Sequence, residues 1–229
     1  MTSLQKWGKS VRTTIPVMAG YLVLGAGFGI LLRTRGYGLG WALAMSALIY
    51  AGSMQYVAID LLTGGASLLT TAVTTLLVNA RHLFYGISML ERYRAAGKYA
   101  PYLIFSLTDE TYSLVAARED LTGAECFRIS LLDQLYWVLG TALGSLAGAY
   151  LDFNTTGIDF SLTALFLTVF TEQWLETKDH APALIGLGVS IVCRLLFGAD
   201  SFLLPTMGGM LCCLLVLDAR RTKKGGESV

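Results

Sequence analysis

Residues 39–90 decide the fold, and they read LGWALAMSALIYAGSMQYVAIDLLTGGASLLTTAVTTLLVNARHLFYGISML. Of these 52 residues, only Asp60 and Arg81 carry a formal charge. A membrane-spanning helix needs about 20 mostly apolar residues, so the stretch is long enough for two crossings. A charge at the depth of a bilayer costs about 2.5–3.5 kcal/mol on insertion scales. We therefore expect both charges to be paired or to line a wet cavity.

The whole chain shows the same apolar bias. Its 229 residues are 54% hydrophobic and 14% charged, whereas soluble domains average about 25% charged residues. This composition excludes a disordered chain, a nucleic-acid binder with a basic face and most soluble enzymes. Lipid is therefore the expected partner of much of the surface, and nucleic acid is not an expected partner.

The apolar runs predict an all-α, polytopic membrane protein, in which residues 1–229 form one integral membrane domain. The seven clearest candidate membrane segments are residues 15–32, 39–62, 66–90, 127–150, 158–175, 182–198 and 202–217. An eighth candidate, residues 101–117, is interrupted by polar residues in its middle. The protein has six membrane segments if both 66–90 and 101–117 are broken or re-entrant, and eight if both span, so both counts stay open.

Basic residues flank the apolar body at both ends. Residues 1–14 and residues 218–229 form two tails that are rich in lysine and arginine. Segments next to a membrane helix that carry an excess of these residues stay in the cytoplasm. The sequence therefore predicts a multi-pass protein with both termini in the cytoplasm.

Two repeated patterns concern packing and symmetry. Glycines recur at every fourth position, as Gly25 and Gly29 and again as Gly140 and Gly144, which lets helix backbones approach closely. Separately, RHLFYG at residues 81–86 is similar to RLLFG further along the chain. Transporters are often built from repeats, but apolar helices also share composition, so an internal repeat and a chance likeness both stay open.

The first polar constellation is formed by Asn79, Arg81 and His82, which fall within one turn of an apolar helix. The planar guanidinium of arginine binds a carboxylate through two hydrogen bonds, so Arg81 is suited to the carboxylate of a substrate. The alternative is a structural arginine that reaches the membrane interface or pairs with a protein carboxylate. For His82 the structural interpretation is the more common one.

The second constellation consists of two adjacent carboxylates, Asp109 and Glu110, in an apolar segment. Three interpretations are open. The carboxylates form an ion pair with Arg81 or Arg194, they lie at the start of a broken helix, or they take up and release a proton.

The third constellation lies in YAGSMQY, residues 50–56. Gly52 and Ser53 permit a helix break, which exposes backbone groups that bind a carboxylate or an ammonium group. Ser53 and Gln55 are therefore candidate substrate contacts, although an interhelical hydrogen bond is an equal alternative for Gln55. Weaker candidates inside or near apolar runs are Asp133, Gln134, Glu172 and Arg194.

Several chemistries have no support in the sequence. The chain has two histidines and no Cys-x-x-Cys pair, so we expect no metal site. It also contains no Walker loop and no hydrolase or zinc-protease motif. We therefore expect neither a cofactor nor an enzyme.

These motifs together resemble the AzlC family of branched-chain amino-acid transport proteins, the large subunit of a two-component exporter. The matching residues are 20–29, 50–55, 79–86 and 107–111. The resemblance implies the export of valine, leucine or isoleucine together with a small hydrophobic partner of the AzlD type. We thus expect a secondary transporter of the bacterial inner membrane, coupled to protons. The alternatives are a non-transporting structural subunit and an intramembrane enzyme.

Overall fold

The computed structural model describes residues 3–116, 118, 120–150, 160, 163–164, 167, 170–171, 174–175 and 178–226. This part of the chain is helical and contains no strand, as predicted. Its helices are α1 (Ser3–Thr34), α2 (Leu39–Leu48), α3 (Gly52–Thr63), α4 (Leu68–Val78), α5 (Arg81–Ala95), α6 (Ala100–Phe105), α7 (Asp109–Ala116), α8 (Gly123–Tyr150), α9 (Ala181–Ser201) and α10 (Leu203–Gly226).

Residues Met1–Thr163 and Ala164–Val229 form two compact units. The first unit contains α1 to α8 and all three polar constellations. The second contains α9 and α10, which pack together closely enough that a side chain at Gly209 would meet Val189. A single membrane domain spanning the whole chain stays a prediction.

Three apolar runs are broken into half-helices at the polar motifs. The break between α2 and α3 lies at Tyr50, whose φ of 45° is rare for a residue with a side chain. The break between α4 and α5 lies at Asn79, and the break between α6 and α7 ends at Thr108, whose hydroxyl accepts a hydrogen bond from the Thr111 amide at 3.3 Å. The break predicted beside Gly52 is confirmed.

The number of membrane crossings stays a prediction. Among the described helices, Leu4–Thr34 and Ala181–Gly198 are long and apolar enough to cross a membrane by length and composition. The breaks explain why the runs 39–62 and 66–90 contain only shorter apolar helices, Leu39–Leu48 and Leu68–Val78. The predicted segment at 158–175 lies largely outside the described residues.

Helices α1 and α8 pack with their backbones in contact along the two glycine series. A Cβ atom at Gly29 would lie 2.2 Å from the carbonyl oxygen of Thr141, and one at Gly144 would lie 2.0 Å from that of Ala26. These distances are far below van der Waals contact, so only glycine fits. The prediction that these glycines serve helix packing is confirmed.

Two apolar clusters hold the half-helices against this pair. The first joins α1, α2, α3 and α8 around Phe28 and Trp137, which are fully or almost fully buried. The second joins α5, α6, α7 and α8 around Leu103, Val115 and Ile129. Helix α8 belongs to both clusters, whereas α4 has no buried residue and belongs to neither.

The similar sequences at residues 81–86 and 194–198 do not occupy equivalent positions in their helices. Arg81 is the first residue of α5, directly after a break. Arg194 lies inside α9, four residues before a kink at Gly198, where φ is 75°. The internal repeat thus gains no support from the positions of these two arginines.

Candidate functional site

The three polar motifs all fall on the first turns of half-helices, and Arg81 joins them. Helix α3 begins at Gly52, α5 at Arg81 and α7 at Asp109. The Arg81 guanidinium donates a hydrogen bond of 2.9 Å to the Ser53 hydroxyl and forms an ion pair with the Asp109 carboxylate. Of the two arginine partners proposed for the carboxylates, Arg81 is therefore the one that pairs with Asp109.

The Arg81–Asp109 ion pair is partly accessible. The side chains are 32% and 25% exposed, which is more than the fully buried groups nearby. An acidic residue in the first turn is also favoured by the positive end of a helix dipole, as for Asp109 in α7. Both charged side chains therefore keep part of their surface accessible.

The neighbouring carboxylate, Glu110, has different surroundings. Its Oε2 atom accepts a hydrogen bond of 2.7 Å from the hydroxyl of Tyr21 on α1. That hydroxyl lies 2.7 Å from the Thr108 hydroxyl as well. The two adjacent carboxylates thus face different helices, with Asp109 turned towards Arg81 on α5 and Glu110 towards α1.

Gln55 lies in a buried network between helices. Its side chain is fully buried, its Oε1 accepts from the Trp137 indole at 2.9 Å, and its Nε2 donates to the Ser46 hydroxyl at 3.3 Å. Ser46 in turn donates to Thr141 at 3.0 Å. Both ends of the amide are used, which matches the interhelical alternative, and a contact between Gln55 and a substrate stays a prediction.

A cavity of about 710 Å³ opens beside the breaks at Tyr50 and Asn79. Its wall is mainly apolar, with Asn79 and His82 among its polar members. The buried Oδ1 of Asn79 has no hydrogen-bond partner among the described residues, and the His82 Nδ1 lies 3.2 Å from the Asn79 carbonyl oxygen. Apolar residues of the wall include Ile49, Leu76, Leu83, Ile87, Ile104 and Leu107.

The weaker candidates lie elsewhere. Gln134 accepts a hydrogen bond of 2.7 Å from Tyr102 and donates one of 3.0 Å to the Ala47 carbonyl, so it ties α8 to α6 and α2. Arg194 lies over the ring of Phe202 at 5.5 Å. Glu172 lies outside the described residues. Within the described ranges, no group of three His, Cys, Asp or Glu side chains is placed to hold a metal ion.

Sequence reasoning underrated one buried acid, Asp133 on α8. Its side chain is fully buried, and its Oδ2 accepts a hydrogen bond of 2.8 Å from the Thr111 hydroxyl. Thr111 in turn accepts from Thr108 at 3.1 Å. The available signal was that Asp133 is the only acidic residue of the apolar run 127–150.

Half-helices whose charged first turns meet beside an apolar cavity are typical of membrane transport proteins. The chain belongs to the AzlC family, because residues 16–151 match the family described as AzlC protein. It is 46% identical over 209 residues to the branched-chain amino acid transport protein AzlC of Bacillus subtilis, with 89% of this chain and 82% of that protein covered.

Other relatives are named as membrane proteins. An uncharacterized membrane protein of Helicobacter pylori is 42% identical, with 89% of this chain and 91% of that protein covered. The inner membrane protein YgaZ of Escherichia coli is 26% identical, with 90% of this chain and 87% of that protein covered. No solved structure gives a significant match.

These likenesses confirm the family predicted from the motifs. They also confirm a membrane transport protein rather than an enzyme at the level of the family, because the Bacillus subtilis relative carries that description.

Proposed function

We propose that this chain is a secondary transporter that exports branched-chain amino acids across a bacterial inner membrane. In this proposal both termini lie in the cytoplasm, protons drive the export, and a small AzlD-type subunit works with the chain. The observation that carries it is the accessible Arg81–Asp109 pair next to a mainly apolar cavity. The description of the Bacillus subtilis relative supports the substrate class.

The substrate enters by exchanging ion pairs. An amino acid carries one carboxylate and one ammonium group, so it replaces a contact between Arg81 and Asp109 with two new ones. The carboxylate accepts hydrogen bonds from the Arg81 guanidinium and the Ser53 hydroxyl, and the ammonium group donates to Asp109. Both protein charges stay paired throughout, which avoids the large cost of an isolated charge.

The cavity selects the side chain. Valine, leucine and isoleucine place their branched groups against residues such as Leu83 and Ile87. A polar side chain would lose its hydrogen bonds to water there and gain few in return. The Asn79 Oδ1 atom, which has no partner among the described residues, accepts a second hydrogen bond from the ammonium group. His82 lines the same cavity as Asn79.

Glu110 takes the coupling proton, because it is adjacent to Asp109 and is linked through the Tyr21 hydroxyl to the Thr108 hydroxyl. The half-helices rock against the α1–α8 pair to give alternating access. Gln55 joins α3 to that pair through its hydrogen bond with the Trp137 indole.

The test is the counterflow of labelled leucine in liposomes that contain the purified chain. Replacing Arg81→Ala is expected to lower counterflow at least about 100-fold, because a charge-assisted contact contributes about 3 kcal/mol. Arg81→Lys, which keeps the charge but not the planar donor pair, should retain part of the activity. The matched control is Arg35→Ala, since Arg35 lies in the turn after α1.

Wild-type rates in a well-inserted Arg81→Ala variant would overturn the assigned role. The same assay, run with and without the small partner, tests whether the partner is obligatory. Flux by the chain alone would contradict an obligate complex, whereas flux only with the partner present would support one.

A further inference from the structure

A continuous line of hydrogen-bonding groups links two acids of the first unit, the partly buried Glu110 and the fully buried Asp133. It runs from Glu110 to the Tyr21 hydroxyl (2.7 Å), from there to the Thr108 hydroxyl (2.7 Å), then to the Thr111 hydroxyl (3.1 Å) and finally to Asp133 (2.8 Å). We refer to these five residues as the hydroxyl chain. Tyr21 belongs to α1, Thr108 to the break before α7, and Asp133 to α8.

The hydrogens of the three hydroxyl groups are too few for all the hydrogen bonds of the hydroxyl chain. Four contacts join the five groups, and each needs one donated hydrogen. Its three hydroxyl groups, on Tyr21, Thr108 and Thr111, have only one hydrogen each to donate. If both carboxyl groups were ionised, one contact of 2.7–3.1 Å would lack a hydrogen between its oxygens. The fourth hydrogen must therefore come from Glu110 or Asp133.

The surroundings of the two acids favour the same conclusion. Asp133 is fully buried, and its Oδ1 has no hydrogen-bond partner among the described residues. The titratable groups that face it are Glu110, Tyr50 and Tyr102, none of which is cationic. An isolated buried carboxylate is expensive, so at least one of the two acids carries a proton.

Glu110 is the end of the hydroxyl chain that lies beside the Arg81–Asp109 pair. It is only partly buried and is faced by Asp109 and Arg81, in addition to Tyr21. Any change in the charge of the Arg81–Asp109 pair therefore acts on Glu110 more directly than on Asp133.

We propose that Glu110 and Asp133 hold one proton between them and that the hydroxyl chain passes it from one to the other. In one state Glu110 is protonated, and each hydroxyl donates towards Asp133. In the other state Asp133 is protonated, and each hydroxyl donates towards Glu110. During the transfer each hydroxyl oxygen loses one O–H bond and gains another, while one carboxyl group loses its proton and the other gains one. The number of protons and the total charge are therefore unchanged.

This proposal deepens the proposed function, on which its transport consequence rests. The ammonium group of a substrate bound at Asp109 stabilises the ionised form of Glu110, so the proton moves to Asp133 and is stored there. When the substrate leaves, the proton returns to Glu110, where it is exchanged for another proton, so the two acids again hold one proton between them. Substrate and proton are thereby coupled through one carboxyl group.

Infrared spectroscopy of the purified protein tests the shared proton without any transport assay. The wild-type spectrum should contain the carbonyl stretch of a protonated carboxyl group. This band should be weakened or lost in Glu110→Gln and in Asp133→Asn, because the introduced amide can donate the fourth hydrogen and the remaining acid no longer has to carry a proton. It should be absent from the double variant. A spectrum without the band, or a band that persists unchanged in the double variant, would overturn the proposal.

Transport tests the coupling. Thr111→Val cuts the hydroxyl chain but keeps both acids, and it should lower leucine flux driven by a proton gradient about 100-fold. Leucine counterflow, which needs no net proton movement, should fall much less. Thr111→Ser should restore the gradient-driven flux. Ser130→Ala is the matched control, because Ser130 is a buried hydroxyl of α8 outside the hydroxyl chain.

Equal losses of both fluxes in Thr111→Val, with none recovered in Thr111→Ser, would contradict a proton path. If Thr111→Val does not fold, Tyr21→Phe takes its place, because it removes the hydroxyl next to Glu110 and so also cuts the hydroxyl chain. A wild-type protein without any leucine flux would overturn the proposed function, and the infrared result would still decide whether the proton is shared.

Discussion

The α1–α8 pair and the three broken helices solve the problem of packing inside a membrane in opposite ways. The pair is held by shape, since Gly29 and Gly144 bring the two backbones into direct contact. Most of the broken helices also pack in apolar clusters, but their first turns meet through polar contacts such as the partly exposed Arg81–Asp109 ion pair. A ligand can replace an ionic contact but not a contact of shape, so we propose that the first region is the scaffold and that the second holds the site.

The buried polar groups of the two regions differ in where their unpartnered atoms lie. Beside the α1–α8 pair, Ser46, Gln55 and Thr141 are joined by hydrogen bonds, while the buried hydroxyl groups of Ser130 and Ser145 have no partner among the described residues. At the breaks, the Asn79 Oδ1 atom also has no partner among the described residues, but Asn79 lines a cavity of about 710 Å³. A satisfied network fixes one structure, while an unsatisfied group leaves a position for a ligand atom. The following predictions test how sharp this division is.

The largest effect on stability is expected for Gly144→Ala. The added Cβ atom would lie 2.0 Å from the Ala26 carbonyl oxygen, so the two helices must separate along their whole contact. We expect a loss of about 3 kcal/mol or more, at the upper end for overpacked cores. Thermal unfolding in detergent measures it.

Gly20→Ala is the matched control for this substitution. A Cβ atom at Gly20, also on α1, would meet nothing within 4 Å. Its melting temperature should be unchanged or slightly higher, because alanine has the higher helix propensity. Equal effects of the two substitutions would show that the close approach of α1 and α8 does not determine stability.

A smaller loss, about 2 kcal/mol, is expected for Gln55→Met. The change keeps the volume but leaves the buried Trp137 N–H without its acceptor. If Gln55 belongs to the scaffold, the melting temperature falls and the KM for leucine does not change. A raised KM at unchanged stability would instead make Gln55 part of the site. Met54→Leu, at the neighbouring buried position of α3, is the control.

The ion pair is expected to show a still smaller, non-additive effect. Arg81→Ala leaves Asp109 without its cation, so the double variant with Asp109→Ala should be more stable than the sum of the single losses predicts. With side chains 32% and 25% exposed, we expect a coupling of about 1 kcal/mol. A double-mutant cycle on thermal unfolding measures it. Additive losses would mean that the pair contributes nothing to the fold.

The sequence alone predicted the local features of both regions. Glycine spacing predicted close helix packing, and Gly52 with Ser53 predicted a break, because each depends on residues within about one turn of one another. The choice between broken and continuous helices at 66–90 and 101–117 stayed open. Hydropathy does not register a break of two or three residues, such as the one at Asn79.

The pairings between distant residues could not be predicted. Periodicity assigns a residue to a face of its own helix but not to a partner helix. For that reason Arg81 had two candidate carboxylates and two interpretations, and Tyr21 and Asp133, which lie 112 positions apart in the chain, were never connected. The glycine series likewise predicted a contact without identifying α1 and α8 as the pair that makes it.

The smallest effect is expected for a substitution at the start of α8, outside the apolar run. This position belongs neither to the glycine contacts between α1 and α8 nor to the broken helices. Glu125 accepts hydrogen bonds from the Thr122 backbone (3.0 Å) and hydroxyl (2.8 Å), a capping box typical of helix starts. These two hydrogen bonds lower the pKa of Glu125 below its ordinary value. The stabilisation is therefore present at neutral pH and is lost as the pH falls through the lowered pKa.

Replacing Glu125→Gln should accordingly lower the free energy of unfolding by about 0.5–1 kcal/mol at pH 7 and by less in acid. Thermal unfolding at pH 7 and at about pH 3, below the ordinary pKa of a glutamate, measures the difference. Glu91→Gln is the control, because Glu91 is exposed on α5. The loss should leave leucine counterflow unchanged, since the contacts of Glu125 are with Thr122 and with Lys9 near the start of α1 (3.6 Å), and not with the Arg81–Asp109 pair. A change in counterflow would mean that the start of α8 moves during transport, and α8 would then no longer count as a fixed scaffold.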